Sequence, residues 1–326
     1  MSSTLRILGF IIVFALWSLT PAGAANINVV WTSEVGQFAP LWVTKEAKLF
    51  EKYGNNVQLI FIQGASSAAA ALSSGDAHVG MFSPQVVIAT PALELVMFGR
   101  LGNTMDNRIY VRKGIKSIKE VKRVAISRFG SNADFAARFL LQREGLRPDT
   151  DVALLQVGNQ SNRIAAVETN NADAAMLTPP MTLMARKLGM TLLIDASKLN
   201  IPYSSLMFVS RRPYLAKTRA ELVNFTKAMI EGVAFYKSNK EFALKVLGKY
   251  MKVQDREVLE ENFREYDFPL RPYPAREYFE LPIQEVGKKD PRVLKENSER
   301  YADMSLVKEI ESSGFIDKIS QEYKVK

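Results

Sequence analysis

The chain has 326 residues, a formal net charge of +9 and no cysteine. The absence of cysteine excludes disulfides, thiolate nucleophiles and cysteine-based metal sites, and it leaves no cysteine near the N-terminus for lipid attachment. A positive charge often indicates nucleic-acid binding, but the basic residues are dispersed at the spacing of solvated faces, as in Lys113, Lys116, Lys119 and Lys122. We therefore expect no nucleic-acid partner.

Residues 1–25 have the features of a secretory signal peptide. Arg6 precedes an uncharged apolar run over residues 7–19, and small residues follow, with alanines in an A-x-A arrangement at positions 22 and 24. The run is shorter than the roughly 20 residues that a membrane-spanning helix needs. We expect cleavage near Ala24 or Ala25 and a periplasmic mature protein, which is long enough for two α/β domains.

Strands alternate with helices in the N-terminal part of the chain. Residues 28–31 are predicted as a strand, and Pro40 suits the first turn of the helix that follows. Further strands are predicted at residues 57–62 and 77–82, with an alanine-rich helix between them. The order βαβαβ requires a parallel sheet with right-handed crossovers.

The same pattern begins again at Val124. A strand over residues 124–126 ends in a polar turn, and the next helix starts with Ser131 and Asp134 at the spacing of a capping box. The second copy continues with a strand at 152–157, a helix at 161–168, a strand at 174–177, and Thr178-Pro179 in the place of Ser83-Pro84. The repetition indicates two similar lobes.

The last third of the chain is predicted to be helical. Thr218 and Ser238 each precede a glutamate by three residues, so we predict two successive helices that begin with capping boxes. These helices have no strands of their own, and we expect them to return to the first lobe. The predicted domains are therefore residues 26–108 together with 204–326, and residues 109–203.

Four segments resemble a known family: FAPLWVTKEAKLFEKYG (38–54), SGDAHVGMFSP (74–84), SRFGSNADFAARFLLQREGLRPDTDV (127–152) and ESSGFI (311–316). They are similar to the exported substrate-binding proteins of nitrate, sulfonate and taurine ABC importers, which are grouped with the thiamine-pyrimidine-synthase-like proteins. The resemblance implies a type II periplasmic-binding-protein fold of the α/β class. In that fold, two βαβ lobes with parallel-dominated sheets are joined by two crossing segments and close over a ligand by hinge motion.

Carried over by position, the resemblance places the ligand in loops where strands end and helices begin. A helix that starts after a parallel strand also turns unpaired N–H groups toward the crevice above the sheet. Ser131 has a simpler alternative interpretation, in which it only caps the helix. The predicted ligand-binding residues are Ser33, Gln37, Phe38, Gln63, Gly64, Ala65, Ser83, Arg128, Phe129, Ser131, Asn132, Asn159, Thr178 and Tyr203.

Three charged or titratable side chains each allow a functional and a structural interpretation. Glu34 in a cleft loop would disfavour an anionic ligand, and we favour an orientation toward solvent. Arg128 is either a partner for a carboxylate, sulfonate or phosphate, or an ordinary surface residue. His78 is the single histidine, so it has no second histidine or cysteine for a metal site, and we expect it to pair with a backbone group.

The predicted function is that of an extracytoplasmic solute-binding component of an ABC importer. Such a protein captures a small organic or anionic ligand and delivers it to a membrane permease and its ATPase. We expect a monomer without enzymatic activity, cofactor or metal, since no P-loop, G-x-S-x-G, H-E-x-x-H or G-x-G-x-x-G pattern is present. Two alternatives are a periplasmic sensing module that feeds a receptor and a pyrimidine-synthase-like enzyme, whose relatives carry a cysteine-rich motif that this chain lacks. The ligand itself, a planar heterocycle or an anion, stays open.

Overall fold

The computed structural model describes residues 24–326; the predicted signal peptide lies, up to residue 23, outside the described residues. The described strands are β1 Ala25–Trp31, β2 Asn55–Phe61, β3 Val79–Phe82, β4 Leu95–Arg100, β5 Arg108–Val111, β6 Arg123–Ile126, β7 Ala153–Gln156, β8 Ala174–Leu177, β9 Thr191–Asp195 and β10 Met207–Arg211. The helices are α1 Ala39–Glu46, α2 Leu49–Lys52, α3 Ala65–Ser74, α4 Pro84–Ala89, α5 Asn132–Arg143, α6 Gln160–Glu168, α7 Met181–Lys187, α8 Arg212–Lys217, α9 Arg219–Ser238, α10 Lys240–Met251, α11 Arg256–Glu265, α12 Glu280–Gly287, α13 Ser305–Ser312 and α14 Phe315–Tyr323. None of these helices is long and apolar enough to cross a membrane.

The strands form two five-stranded sheets with the same pattern. The first sheet has the order β2-β1-β3-β10-β4, and the second sheet has the order β7-β6-β8-β5-β9. In each sheet the three strands of a βαβαβ unit are parallel, which confirms the prediction for both copies. The fourth strand, β10 or β5, is antiparallel to both of its neighbours. Both sheets are therefore mixed, with a parallel triplet at one side.

Helices cover both faces of each sheet, which explains why strands such as β3, β6 and β8 are apolar almost throughout. On one face of the first sheet, Trp42 of α1 and Phe225 of α9 lie in a core cluster; on the other face, Leu72 of α3 and Val87 of α4 lie in a second cluster. In the second sheet, α5 and α6 supply the corresponding apolar residues. The C-terminal helices pack on the first sheet, because Leu306 and Ile316 belong to its core.

Two connecting segments join the sheets and run side by side. The first connecting segment (residues 101–107) leads from β4 to β5, and the second connecting segment (residues 196–206) leads from β9 to β10. Backbone hydrogen bonds link them, including Leu101 N–H to Leu206 O at 3.0 Å and Tyr203 N–H to Asn103 O at 3.3 Å. Helix α11 adds a third link, since Glu265 accepts from Arg108 at 2.7 Å.

Both capping boxes predicted for the last third are wrong. The Thr218 hydroxyl donates to Tyr214 O, and the Ser238 hydroxyl donates to Ala234 O at 2.9 Å, so each bonds back to the preceding helical turn. Ser238 is the last residue of α9 rather than the cap of α10. The prediction also lacked strand β10, by which the chain returns to the first sheet.

Candidate ligand-binding site

The parallel strands of both sheets end at one crevice. The loops after β1, β2 and β3 and those after β6, β7 and β8 line a cavity of about 330 Å³. Asn107 of the first connecting segment, residues 205 and 206 of the second connecting segment, and Lys252 after α10 also line it. A molecule in this cavity would touch both sheets and the segment between them, so we treat it as the candidate ligand-binding site.

Most of the residues predicted to bind a ligand lie together in the lining of this cavity. The structure places there Ser33, Gln37, Phe38, Gln63, Gly64, Ala65, Ser83, Arg128, Ser131, Asn132, Asn159 and Thr178. Their contacts with a ligand stay a prediction.

The structure places Phe129 and Tyr203 elsewhere. The loop turns after Arg128, and the half-exposed Phe129 ring lies over the Arg138 guanidinium at 5.8 Å, outside the cavity. Tyr203 is fully buried behind the lining, where its ring stacks on Phe135 at 5.6 Å. Tyr203 still acts on the lining, because its hydroxyl donates to Asn132 Oδ1 at 2.5 Å.

A series of hydrogen bonds between polar side chains fixes Asn132 at the start of α5. Its Nδ2 donates to Asn107 Oδ1 at 3.2 Å, and its Oδ1 accepts from Tyr203. The Tyr203 hydroxyl also lies 3.3 Å from Gln85 Oε1 of α4. These hydrogen bonds therefore connect α4 on the first sheet, the second connecting segment and α5 on the second sheet. Ser131 caps α5 as predicted, because its hydroxyl accepts from Asp134 N–H at 3.2 Å.

The start of α6 is tied to the end of β8. Asn159 caps the helix by accepting from Asn162 N–H at 2.8 Å. Gln160 Nε2 donates to Thr178 Oγ1 at 3.0 Å, and Thr178 N–H donates to Gln160 Oε1 at 2.7 Å. This reciprocal pair fixes the position of Thr178 in the cavity lining.

Arg163 of α6 is a lining residue that the sequence prediction missed. It is 5 % exposed, its Nε donates to Asn159 O at 3.4 Å, and its Nη1 donates to Met176 O. No carboxylate lies within 4.0 Å of this guanidinium in the part of the chain that the structure describes. Burial lowers the pKa of Arg163 to about 9. A sequence signal existed, because residues 160, 163, 164 and 167 form the buried stripe of α6 and an arginine interrupts it.

The first sheet contributes Gln37, which also contacts both connecting segments. Its amide donates to Asp106 and accepts from the Ser205 hydroxyl at 3.0 Å. Tyr266 donates to the same Asp106 carboxyl at 2.9 Å. Burial raises the pKa of Asp106, although the hydrogen bonds from Gln37 and Tyr266 act in the opposite direction. A lining residue is thus hydrogen-bonded to the segments about which the sheets would rotate.

Polar pairs lie at the rim of the cavity. Arg128 Nη2 donates to Gln63 Oε1 at 3.3 Å, which bridges the two sheets. Glu34 lies at the rim among the lining residues, partly exposed, and accepts from Lys252 at 2.7 Å. Lys252 follows the last residue of α10 and compensates the charge of Glu34.

An apolar wall faces the polar one. Phe61, at the end of β2, is 46 % exposed and lines the cavity, with its ring 4.7 Å from that of Trp31. Val35, Phe38, Phe82 and Leu206 continue the wall. The sequence prediction missed Phe61 because it was assigned to the strand rather than to its end.

His78 lies away from the cavity and pairs with the backbone, as predicted. Its Nδ1 accepts from Asn28 N–H at 3.0 Å, and its ring stacks on Tyr214 at 4.8 Å. Burial lowers its pKa. The acceptor role of Nδ1 requires the unprotonated nitrogen.

Comparison with known proteins identifies the family. The sequence model described as NMT1/THI5 like matches residues 35–243, and the chain belongs to this family. No curated protein sequence matches the chain.

Solved structures with a similar fold include periplasmic binding proteins at low sequence identity. The periplasmic aliphatic sulphonate binding protein SsuA from Escherichia coli is 20% identical with a TM-score of 0.69, covering 83% of this chain and 89% of its own. The periplasmic nitrate-binding protein NrtA from Synechocystis PCC 6803 is 15% identical with a TM-score of 0.70, covering 89% of each chain. A protein from Bordetella bronchiseptica RB50 is 16% identical with a TM-score of 0.76, covering 92% of this chain and 98% of its own. These neighbours and the two mixed sheets confirm the predicted α/β, type II periplasmic-binding-protein fold.

Proposed function

We propose that this protein is the extracytoplasmic solute-binding component of an ABC importer. It captures a small organic or anionic ligand between the two sheets and delivers it to a membrane permease and its ATPase. The observation that carries the proposal is the cavity itself, because loops of both sheets and residues of both connecting segments line it. The names of the structural neighbours, which are binding proteins for sulphonate and nitrate, support the same function.

In this proposal the ligand links two moving bodies. The bodies are residues 26–108 with 204–326, and residues 109–203, in a monomeric periplasmic protein without enzymatic activity. Hydrogen bonds across the cavity, such as Arg128 to Gln63, form when the bodies approach, and enclosure strengthens every polar contact with the ligand. The role of Gln37 is to couple the lining to the connecting segments through Asp106 and Ser205.

A thermal-shift screen of residues 26–326 tests the proposal. The probes are ethanesulfonate, benzoate, a 4-aminopyrimidine and nitrate. A probe present at about 100 times its Kd should stabilise the protein by roughly 2.7 kcal/mol. Calorimetry with the probe that binds is then repeated on two double variants, Ser131→Ala/Asn132→Ala and Ser33→Ala/Gln37→Ala.

Each double variant removes polar groups from one side of the cavity and should weaken binding by about 1–3 kcal/mol. The first variant should also lose about 1 kcal/mol of folding stability with the Ser131 cap. Gln321→Ala, at an exposed position of α14, is the control and should bind normally. Unchanged affinity in both double variants would show that the cavity is not the binding site.

A further inference from the structure

Arg163 has its charge buried without a counter-charge, and it faces the cavity of the proposed function. Its two hydrogen bonds go to the neutral carbonyls of Asn159 and Met176, which orient the guanidinium without neutralising it. Nη2 makes no hydrogen bond within residues 24–326. Removing a cation from water is costly unless an opposite charge approaches it, so this arrangement is completed by an anion.

The other charges of the lining leave Arg163 uncompensated. Arg128 and Lys252 are cations as well, and Arg128 has no carboxylate within 4.0 Å among the described residues. Glu34 is the one carboxylate of the described lining, and it already pairs with Lys252 at the rim. The described lining therefore supplies no negative charge to the buried Arg163.

The shape and apolar wall of the cavity exclude a small inorganic ion as its full occupant. A volume of about 330 Å³ lies in the range of roughly 300–1,000 Å³ typical of cavities that enclose small organic molecules. Phe61 presents nearly half of its surface on the side formed by the first sheet, and Phe38, Val35 and Leu206 extend that surface. An apolar or aromatic body would cover this wall.

We propose that the cavity takes an organic monoanion, with its oxyanion group on Arg163 and its apolar body on Phe61. The inference rests on the proposed function and deepens it by naming the ligand class. Arg163 is the residue that selects for charge, and Arg128 contributes at longer range from the rim. A neutral heterocycle would leave the buried Arg163 cation without a counter-charge. Nitrate is too small to cover the apolar wall at Phe61, which would stay in contact with water.

Matched probes test this inference without any substitution. Calorimetry on residues 26–326 compares benzoate with benzamide, benzenesulfonate with benzenesulfonamide, and both anions with nitrate. We expect at least one organic anion to bind, with its neutral isostere and nitrate about 100-fold weaker. Equal binding of an anion and its amide, or tighter binding of nitrate, would overturn the inference.

Three arginine variants and one aromatic variant locate the two ends of the ligand. Arg163→Met should weaken the organic anion about 100-fold and its neutral isostere hardly at all. Arg163→Lys keeps the charge but loses the planar fork, so its affinity for the anion should lie between those of the parent and Arg163→Met. Phe61→Ser should weaken the anion about tenfold. Arg147→Met, at an exposed ion pair outside the cavity, is the matched control and should bind as the parent does.

The outcomes separate the inference from the proposed function. If a neutral pyrimidine binds, loses affinity in the Ser131→Ala/Asn132→Ala variant and is unaffected by Arg163→Met, the binding function stands and the organic monoanion is rejected. A folded Arg163→Met protein that binds benzoate or benzenesulfonate normally would assign Arg163 to holding β8 alone. If no probe binds the folded parent at millimolar concentration, both proposals fail.

Discussion

Helices α3 and α6 occupy equivalent places in the two sheets and differ in what they present to the cavity. Each follows the second strand of a parallel triplet, β2 or β7, and each begins at the cavity lining. The fourth residue of the helix is Ala68 in α3 and Arg163 in α6, and both are buried. Ala68 packs in the apolar core, whereas Arg163 lines the cavity. One backbone framework thus holds a methyl group in the first sheet and a cation in the second.

The helix starts differ in the same sense. Gly64 precedes α3 with a φ of 95° and offers no side-chain cap, while Asn159 caps α6 through its Oδ1. The second sheet therefore supplies the charge and most of the ordered polar groups, and the first sheet supplies the Phe61 wall. In the proposed binding mode, the two sheets therefore recognise opposite ends of one ligand.

An arginine in α3 at the position equivalent to Arg163 should have the largest effect on stability. Ala68→Arg would force a guanidinium into the apolar core cluster that contains Ala65, Leu72 and Phe82. Overpacking and an unpaired buried charge together should cost at least about 4 kcal/mol of unfolding free energy, measured by urea denaturation. Ser67→Arg, at the exposed neighbouring position, should stay within about 0.5 kcal/mol. Equal stability of the two variants would show that position 68 accommodates a guanidinium and would contradict a closed apolar core around Ala68.

A substitution of Gly64, the residue before α3, tests whether the backbone at this helix start requires glycine. Gly64→Ala places a Cβ at a φ of 95°, although the nearest atom, Arg128 Cδ, lies 3.6 Å away and leaves room for it. The cost is therefore conformational, and we expect a loss of about 1–2 kcal/mol in the same denaturation assay. Ser66→Ala, two residues later on the exposed side, serves as the reference. A Gly64→Ala protein as stable as this reference would show that the loop relaxes without strain.

The asparagine before α6 is the counterpart. Asn159→Ala removes the acceptor for Asn162 N–H and should reduce the unfolding free energy by about 1 kcal/mol. Asn159→Asp keeps an oxygen in that place and should remain close to the parent. Stability that is lower in the aspartate variant than in the alanine variant would argue against a capping role.

A substitution of His78 should have the smallest effect on stability, and that effect should depend on pH. Burial lowers its pKa below the usual value of 6.5, so the unfolded chain binds the proton more readily than the folded one. Its contribution is complete above pH 6.5 and decreases as the pH falls through 6.5 toward the folded pKa. His78→Asn keeps an acceptor near the Nδ1 position and should flatten this part of the stability profile. An unchanged profile in the variant would assign the pH dependence to other groups.

Local pattern predicted the parallel triplets and the cavity loops, since apolar runs and the polar turns after them are short-range features. The loops holding Ser33, Gln63 and Asn159 follow directly from where strands end. Strand β10 was missed because its place between β3 and β4 depends on residues more than a hundred positions away. Phe129 was misplaced for a related reason: neighbouring loop residues point in opposite directions, and only the folded turn decides which one faces the cavity.

Arg163 shows a different limit of sequence reasoning. Its position in the buried stripe of α6 was visible, but a helical pattern says only that the residue faces inward. Whether it meets an acid, a carbonyl or a cavity depends on β8 and on the loop before α6. The failed capping boxes at Thr218 and Ser238 have a similar cause, because a hydroxyl that suits a cap also suits a bond to the preceding turn.

The late position of β10 in the sequence sets the order in which the two sheets can be completed. All strands of the second sheet lie between residues 108 and 195, whereas the first sheet lacks the strand between β3 and β4 until residue 211 has emerged. A chain that emerges N-terminus first, from the ribosome or, in the proposed export, on the far side of the membrane, can close the second sheet while β1 to β3 still expose an unpaired edge. The part of the protein that emerges first is thus finished last, and its open edge stays available to other chains until about a hundred further residues have emerged.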